Sequence, residues 1–304
     1  MRLIYFGTAD FAVPALRAIA DSVVLVVSQP DRPTGRGLKL QASPVKQAAL
    51  QLGLPIETPE KCRAPEFVER LRAEHADALL VAAYGQILSP AVLDSAKRGG
   101  INLHGSILPE YRGAAPIQRA ILDGKTETGV TLMQMDKGMD TGDMIAITRT
   151  PIGPDETAGM LTPRLAEIAA ELAREWMPKI VAGEYPRTSQ DSEHATMAPK
   201  VTKAEAEIRF ERSAGDEYNR FRAFTPAPGA YLLVGEAPVK LLELARVEGS
   251  GQPGTLIAIN PEPVVAFIQG ALSFPRVQPA GKAAMSGRDW VNGLRMKVGD
   301  RLGP

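Results

Sequence analysis

The chain is poor in several residue types, and each scarcity excludes a chemistry. There is one cysteine, Cys62, so neither an internal disulfide nor a cysteine-cluster metal site can form. A lone cysteine of this kind reads as a small packing residue, not a reactive one. Aromatic residues make up 5%, which argues against a single-strand-binding surface built on stacked rings. Neither sign of charge is in excess, with 35 basic residues against 35 acidic ones, so a nucleic-acid footprint has to be a local patch. No apolar run approaches the ~18 residues of a membrane span. The N-terminal MRLIYFGTADF holds an apolar run of only four, too short for a secretory core, so a cytoplasmic location is expected. Nucleotide fingerprints are also missing. GTADF lacks the second and third glycines of a dinucleotide turn, and no Gly-Lys-Ser/Thr follows DRPTGRG. No Ser or Cys nucleophile elbow is present.

With 304 residues, 44% hydrophobic and 23% charged, the chain has the composition of a globular protein of two domains. Short apolar runs at 2–6, 23–28, 76–84, 100–104, 128–135 and 143–150 read as strands. Amphipathic stretches at 9–20, 44–52, 64–75, 114–122 and 156–182 read as helices between and after them. The alternation predicts a doubly wound, mostly parallel, Rossmann-like α/β sheet, parallel up to about residue 135. Runs 128–135 and 143–150 lie too close together for a crossover helix and predict a hairpin. After Pro186 the text turns polar. From 207 on it consists of short apolar runs broken by Pro and Gly, with one helix near 213–224, which predicts a smaller C-terminal β-barrel of OB-like type. The expected organisation is a first domain over 1–189, a linker over 190–206 and the barrel over 207–304.

Two stretches carry candidate chemistry. In INLHGSILP (101–109), alternation along a strand puts Asn102 and His104 on one face, at the carboxyl end where open α/β sheets bind ligands. The plain alternative is a satisfied strand-end histidine. In MDKGMDTGDM (135–144), Asp136, Asp140 and Asp143 occupy a glycine-rich turn, and turn formation alone would account for them. The twelve-residue calcium loop with its terminal Glu is absent. An amide, an imidazole and a carboxylate at sheet edges suggest acid–base chemistry with oxyanion stabilisation.

INLHGSILPEYRGAAPIQRAI followed by ETGVTLMQMDKGMDTGDM resembles the 10-formyltetrahydrofolate-dependent formyltransferases. QPDRPTGRGLKLQASPVK (29–46), APKVTKAEAEIRF (198–210) and QPAGKAAMSGRDW (278–290) narrow the likeness to members that act on a charged tRNA. TPAPGAY (225–231) departs from the family's usual Asn-Pro-Trp-Pro-Gly-Ala-Trp. The resemblance implies that Asn102, His104 and Asp140 are catalytic and that Ser106, Ile107, Leu108 and Pro109 line the folate site. It implies transfer of a formyl group from 10-formyltetrahydrofolate, the co-substrate, to the α-amine of initiator methionyl-tRNA. No metal, covalent enzyme intermediate or membrane is called for, and a monomer is expected.

The loop at 29–46 carries Arg32, Arg36, Lys39 and Lys46 against Asp31, a local net of +3. Lys200 and Lys203 add charge further on, and the run 282–301 has a net of +3. A charged run is usually a solvated face; the resemblance makes Arg32, Arg36, Lys39, Lys46, Lys200 and Lys203 tRNA contacts. Two other readings stand beside this one. A relative acting on an amino-sugar nucleotide or another small amine would share the three catalytic residues but have no use for the basic loop. A non-catalytic RNA-binding protein would have no need to keep all three.

Overall fold

LIYFG, with every residue buried, forms β1 (Leu3–Gly7), the full burial expected of a central strand covered on both faces. The computed structural model describes residues 1–34 and 39–302; Arg36 and the side chain of Lys39 lie outside the described residues. Next come α1 (Val13–Ala18), β2 (Val23–Val27), a small hairpin of β3 (Arg32–Thr34) and β4 (Lys39–Gln41), α2 (Pro44–Gln51) and β5 (Ile56–Glu57). They are followed by α3 (Pro65–Arg72), β6 (Ala78–Ala82), α4 (Pro90–Leu93) and β7 (Gly100–His104). Then come β8 (Arg112–Gly113), α5 (Pro116–Leu122), β9 (Glu127–Gln134), β10 (Met144–Pro151), α6 (Ala158–Ala182) and β11 (Met197–Ala198). Helices α2, α3 and α4 open with proline in the first turn, where its missing N–H forfeits no helical bond.

The large sheet runs β10-β9-β7-β6-β1-β2-β5. Strands β5, β2, β1, β6 and β7 are parallel, with Ile4, Phe6, Leu25, Val27, Leu79 and Val81 packed in one apolar cluster. β9 corrects the expectation of a parallel sheet up to about residue 135, because it runs antiparallel to β7, with His104 opposite Thr131 and Ile101 opposite Gln134. Between β7 and β9 the chain forms β8, which pairs with β11, and α5, which has only seven residues, about 10 Å of rise. The β9–β10 hairpin forms as expected.

Two compact units divide the chain: Met1–Pro116, Glu127–Pro151 and Thr162–Pro199 in one, and Ile117–Thr126, Ile152–Leu161 and Lys200–Pro304 in the other. Residues 190–199, within the stretch expected as a linker, belong to the first unit, where β11 pairs with β8.

In the second unit, α7 (Ala214–Ala223) precedes β12 (Tyr231–Val234), β13 (Ala237–Val247), β14 (Leu256–Ala258), β15 (Val264–Ala266), β16 (Ala271–Pro279), β17 (Met285–Ser286) and α8 (Gly287–Gly293). The strands form an antiparallel sheet in the order β12-β13-β16-β15-β14, with β17 on β16. Its edges do not stay bare: Ile208 N–H donates to Tyr231 on β12, and Leu256 N–H on β14 donates to Asp300. Leu232, Leu241, Phe267, Phe274 and Trp290 lie in its core.

One ion pair of this unit sets a testable pH dependence. Arg119 on α5 donates to Glu205 at 2.6 Å, and that bond holds the Glu205 carboxyl at about 2, below its ordinary value of 4.5. A depressed carboxyl contributes stability that is complete above about pH 4.5 and lost as pH falls towards 2. Glu205→Gln should therefore flatten the acid side of the melting profile, at a loss near neutrality of roughly 1 kcal/mol for so screened a pair. An unchanged slope between pH 5 and pH 2 (about that range) would rule this out.

Candidate active site

The alternation of INLH carries through into the structure. Ile101 and Leu103 are buried on β7, and Asn102 and His104 share the other face, His104 with its side chain 6% exposed. Asp140, 38 positions further on from Asn102, meets both. Asn102 Nδ2 donates to Asp140 Oδ1 at 3.3 Å, and His104 Nδ1 lies 3.6 Å from Asp140 Oδ2. The Gly113 N–H on β8 donates to the same Oδ2 at 2.8 Å. The structure thus brings together the three side chains expected to be catalytic.

The remaining ring nitrogen decides what the imidazole can do. His104 Nε2 is 2.9 Å from the Tyr111 carbonyl oxygen, which can only accept, so Nε2 carries the proton. In the neutral ring Nδ1 is then a lone pair facing the site, able to take a proton, with a carboxylate beside it to stabilise the imidazolium formed. Nδ1 donates only after it has been protonated. Asn102 is the standing donor: its amide nitrogen has two hydrogens, and the bond to Asp140 uses one.

The three carboxylates of 135–144 separate cleanly. Asp136 is a turn former, accepting from Gly138 N–H and the Thr141 hydroxyl. Asp143 pairs with Arg187 at 3.0 Å and accepts from Ser189. Asp140 alone is turned into the site, from a backbone at φ 53°, in the left-handed region that few non-glycine residues occupy. Gly142 has a strict steric reason: a Cβ there would run into the Gln134 carbonyl oxygen. Gly142→Ala should displace this loop and lower turnover by about 10²-fold, as misplacement of a reacting group by ~1 Å does. Parental kinetics in the Gly142→Ala enzyme would show that the loop absorbs the clash elsewhere.

Comparison with known proteins gives this constellation a family. Residues 1–181 match the formyl transferase family model, and residues 200–295 match the model described as the formyl transferase C-terminal domain. The chain belongs to the formyl transferase family. Among curated relatives, this formyl transferase is 47% identical over 310 residues to the methionyl-tRNA formyltransferase of Sorangium cellulosum, with 100% of both chains covered. It is 43% identical to that of Myxococcus xanthus, covering 99% of this chain and 97% of the relative. The N-formyltransferase of Helicobacter canadensis, solved with folinic acid and dTDP-3-aminofucose, shares the fold at a TM-score of 0.67 and 19% identity. That alignment covers 92% of this formyl transferase and 99% of the Helicobacter canadensis chain.

Of the residues expected around the folate, Ser106 and Leu108 are buried and Ile107 and Pro109 half-buried in the loop after β7. The loop is tied down: the Ser106 hydroxyl donates to Glu110 O at 2.7 Å, and Thr131 Oγ1 accepts from Leu108 N–H and donates to Ser106 O. Ser106 therefore shapes the loop with its hydroxyl.

Among the residues expected to contact tRNA, Arg32 is exposed, 3.7 Å from Glu60. Lys46 is engaged, with its ammonium 2.8 and 2.9 Å from the two Asp31 oxygens across the foot of the β3–β4 hairpin. In the second unit Lys200 and Lys203 are exposed, as are Lys282, Arg288, Arg295, Lys297 and Arg301.

Sequence reasoning missed three contributors: the Tyr111 carbonyl, Arg112 and Gln190. Gln190 Nε2 donates to the carbonyls of Asp140 at 2.9 Å and Gly142 at 2.7 Å, and Arg112 holds its other end. A glutamine in a polar stretch, 50 positions from the aspartate whose backbone it binds, leaves no local signal.

Proposed function

We propose that this formyl transferase moves the formyl group of 10-formyltetrahydrofolate to the α-amine of methionine esterified to initiator tRNA. The observation that carries the reaction is the fixed His104 ring, with Nε2–H spent on Tyr111 and Nδ1 facing Asp140. The acceptor rests on the full-length likeness to relatives named methionyl-tRNA formyltransferase and on the basic stretches of both units.

The N-formyl carbonyl is a resonance-stabilised, poor electrophile. Attack by the amine forms a new C–N bond and places negative charge on the formyl oxygen, where the second N–H of Asn102 can donate, worth roughly 10²–10³ in rate. The attacking nitrogen becomes cationic and gives its proton to Nδ1 of His104. The imidazolium is favoured by Asp140, whose oxygens already accept from Asn102 and Gly113, so we assign that carboxylate to orientation and charge balance. Nδ1–H then returns the proton to N10 of the folate as the old C–N bond breaks. The cycle conserves protons and leaves the enzyme unchanged, with no covalent enzyme intermediate.

The SILP loop, Ser106 to Pro109, is assigned to the folate side of the pocket. Arg32 and the exposed lysines Lys200 and Lys203 are assigned to the tRNA backbone, as are Arg36 and Lys39. Lys46 is assigned to anchoring the hairpin through Asp31. The 1–189 segment is read as the catalytic part and the C-terminal sheet as a docking platform.

Incubation with 10-formyltetrahydrofolate and methionyl-tRNA, with free methionine and an amino-sugar nucleotide as control acceptors, should formylate the charged tRNA alone. Formylation of the sugar nucleotide in preference to the tRNA would assign the chain to the small-amine formyltransferases. RNA binding without transfer to any amine would make it a non-catalytic relative.

A further inference from the structure

Gln190 is engaged at both ends in a way that singles it out. Arg112 is buried, 7% exposed, and directs two donors, Nε at 3.0 Å and Nη2 at 2.8 Å, at one atom, Gln190 Oε1. A guanidinium only donates, so the amide cannot be turned round: its oxygen faces Arg112 and its NH2 faces away. Both of those hydrogens are used, one on Asp140 O and one on Gly142 O. The amide therefore clasps the loop on either side of Thr141, where the chain holds a left-handed aspartate.

From this geometry we infer that Gln190, set by Arg112, is a positioning residue for the formyl-transfer reaction, fixing the backbone from which Asp140 reaches His104 and Asn102. β8 then grips Asp140 twice: Gly113 N–H takes its carboxylate, and Arg112, acting through Gln190, takes its carbonyl. Without the clasp, the segment between the Asp136 turn and the Asp143 anchor would keep the Asp140 carboxylate contacts but lose both bonds to its backbone carbonyls. Asp140 would relax away from Nδ1, and the imidazolium would lose its counter-charge. The inference rests on the formyl-transfer reading of the site.

The informative variant is Gln190→Glu. A carboxylate keeps, and strengthens, the pairing with buried Arg112, but it has no N–H for the two carbonyls and repels them. A merely structural role for Gln190 would lower the melting temperature, as two hydrogen bonds are lost, and leave turnover intact. We expect an unreduced melting temperature, turnover lower by about 10²-fold, and KM for folate and charged tRNA within about twofold of the parent. In an Asp140→Asn background the same substitution should cost less than about threefold, since the group it positions is already gone. Parental turnover in Gln190→Glu, or the same loss in both backgrounds, overturns the proposal. If the parent transfers formyl to no amine, the reaction reading has failed. The clasp is then judged by hydrogen exchange over 136–143, which should be faster by at least about tenfold in Gln190→Glu. Unchanged exchange there would overturn it as well.

Discussion

His104→Ala is expected to lower formyl transfer by about 10³-fold, the combined loss of a positioned proton carrier and of the charge balance it makes with Asp140. The effect should fall on turnover and leave both KM values near parental, because the ring acts on the proton and not on binding. Stability should fall by roughly 1–3 kcal/mol, because the substitution leaves Tyr111 O without its donor and a gap where a buried ring stood, so turnover is compared well below the melting temperature. Asn102→Ala should lose about 10²–10³-fold by a different route, as an oxyanion donor. Because the two groups serve one tetrahedral intermediate, the double variant should lose less than the product of the single losses. A His104→Ala enzyme within tenfold (about 1.4 kcal/mol) of the parent would remove the imidazole from the mechanism and return it to the status of a packed strand-end histidine.

The parts of the fold and site that were legible in the sequence are those governed by local periodicity. Period-two alternation in INLH placed Asn102 and His104 on one face, and β1, β2, β6 and β7 fall within about two residues of their apolar runs. The direction of β9 was not legible, because the residues of ETGVTLMQ are the same whichever way the strand enters the sheet. Direction shows only in the pairing itself, His104 opposite Thr131 and Ile101 opposite Gln134. Asp140 could not be told from Asp136 and Asp143 by spacing, since all three share one glycine-rich turn. Only the partners Thr141, Arg187 and Gly113 separate them. The pairing of Lys46 with Asp31 was not legible either, because the two lie 15 positions apart and pairing at that distance has no pattern. The same holds for Gln190. What the chain hides are contacts between groups far apart in sequence, and in this site those contacts decide the position of Asp140.

In the second unit the largest effect should come from Glu217→Ala, a loss of about 2–3 kcal/mol, the cost of leaving donors without their buried acceptor. Ser213 caps α7 by accepting from Asp216 N–H, which sets Glu217 in the first turn, where the helix dipole favours a carboxylate. Its side chain is 0% exposed. One oxygen meets Arg220 at 3.1 Å and Arg212 at 3.3 Å, and the other accepts from the Arg209 N–H at 3.1 Å. Alanine would leave a backbone donor unpaired and two guanidinium groups facing each other across the vacated space. Glu217→Gln should cost less, since an amide oxygen can still accept from one of them while its NH2 opposes another donor. The chain's two tryptophans make the measurement clean, because Trp290 lies in the core of this unit and Trp176 lies on α6 in the other. In a Trp176→Phe background, Trp290 fluorescence should report a midpoint lower by ~10 °C or more for Glu217→Ala. Glu236→Ala, which removes an exposed carboxylate, should not move it. Equal shifts for the two variants would mean that Glu217 is compensated by water, and that α7 is held to its sheet by its apolar face alone.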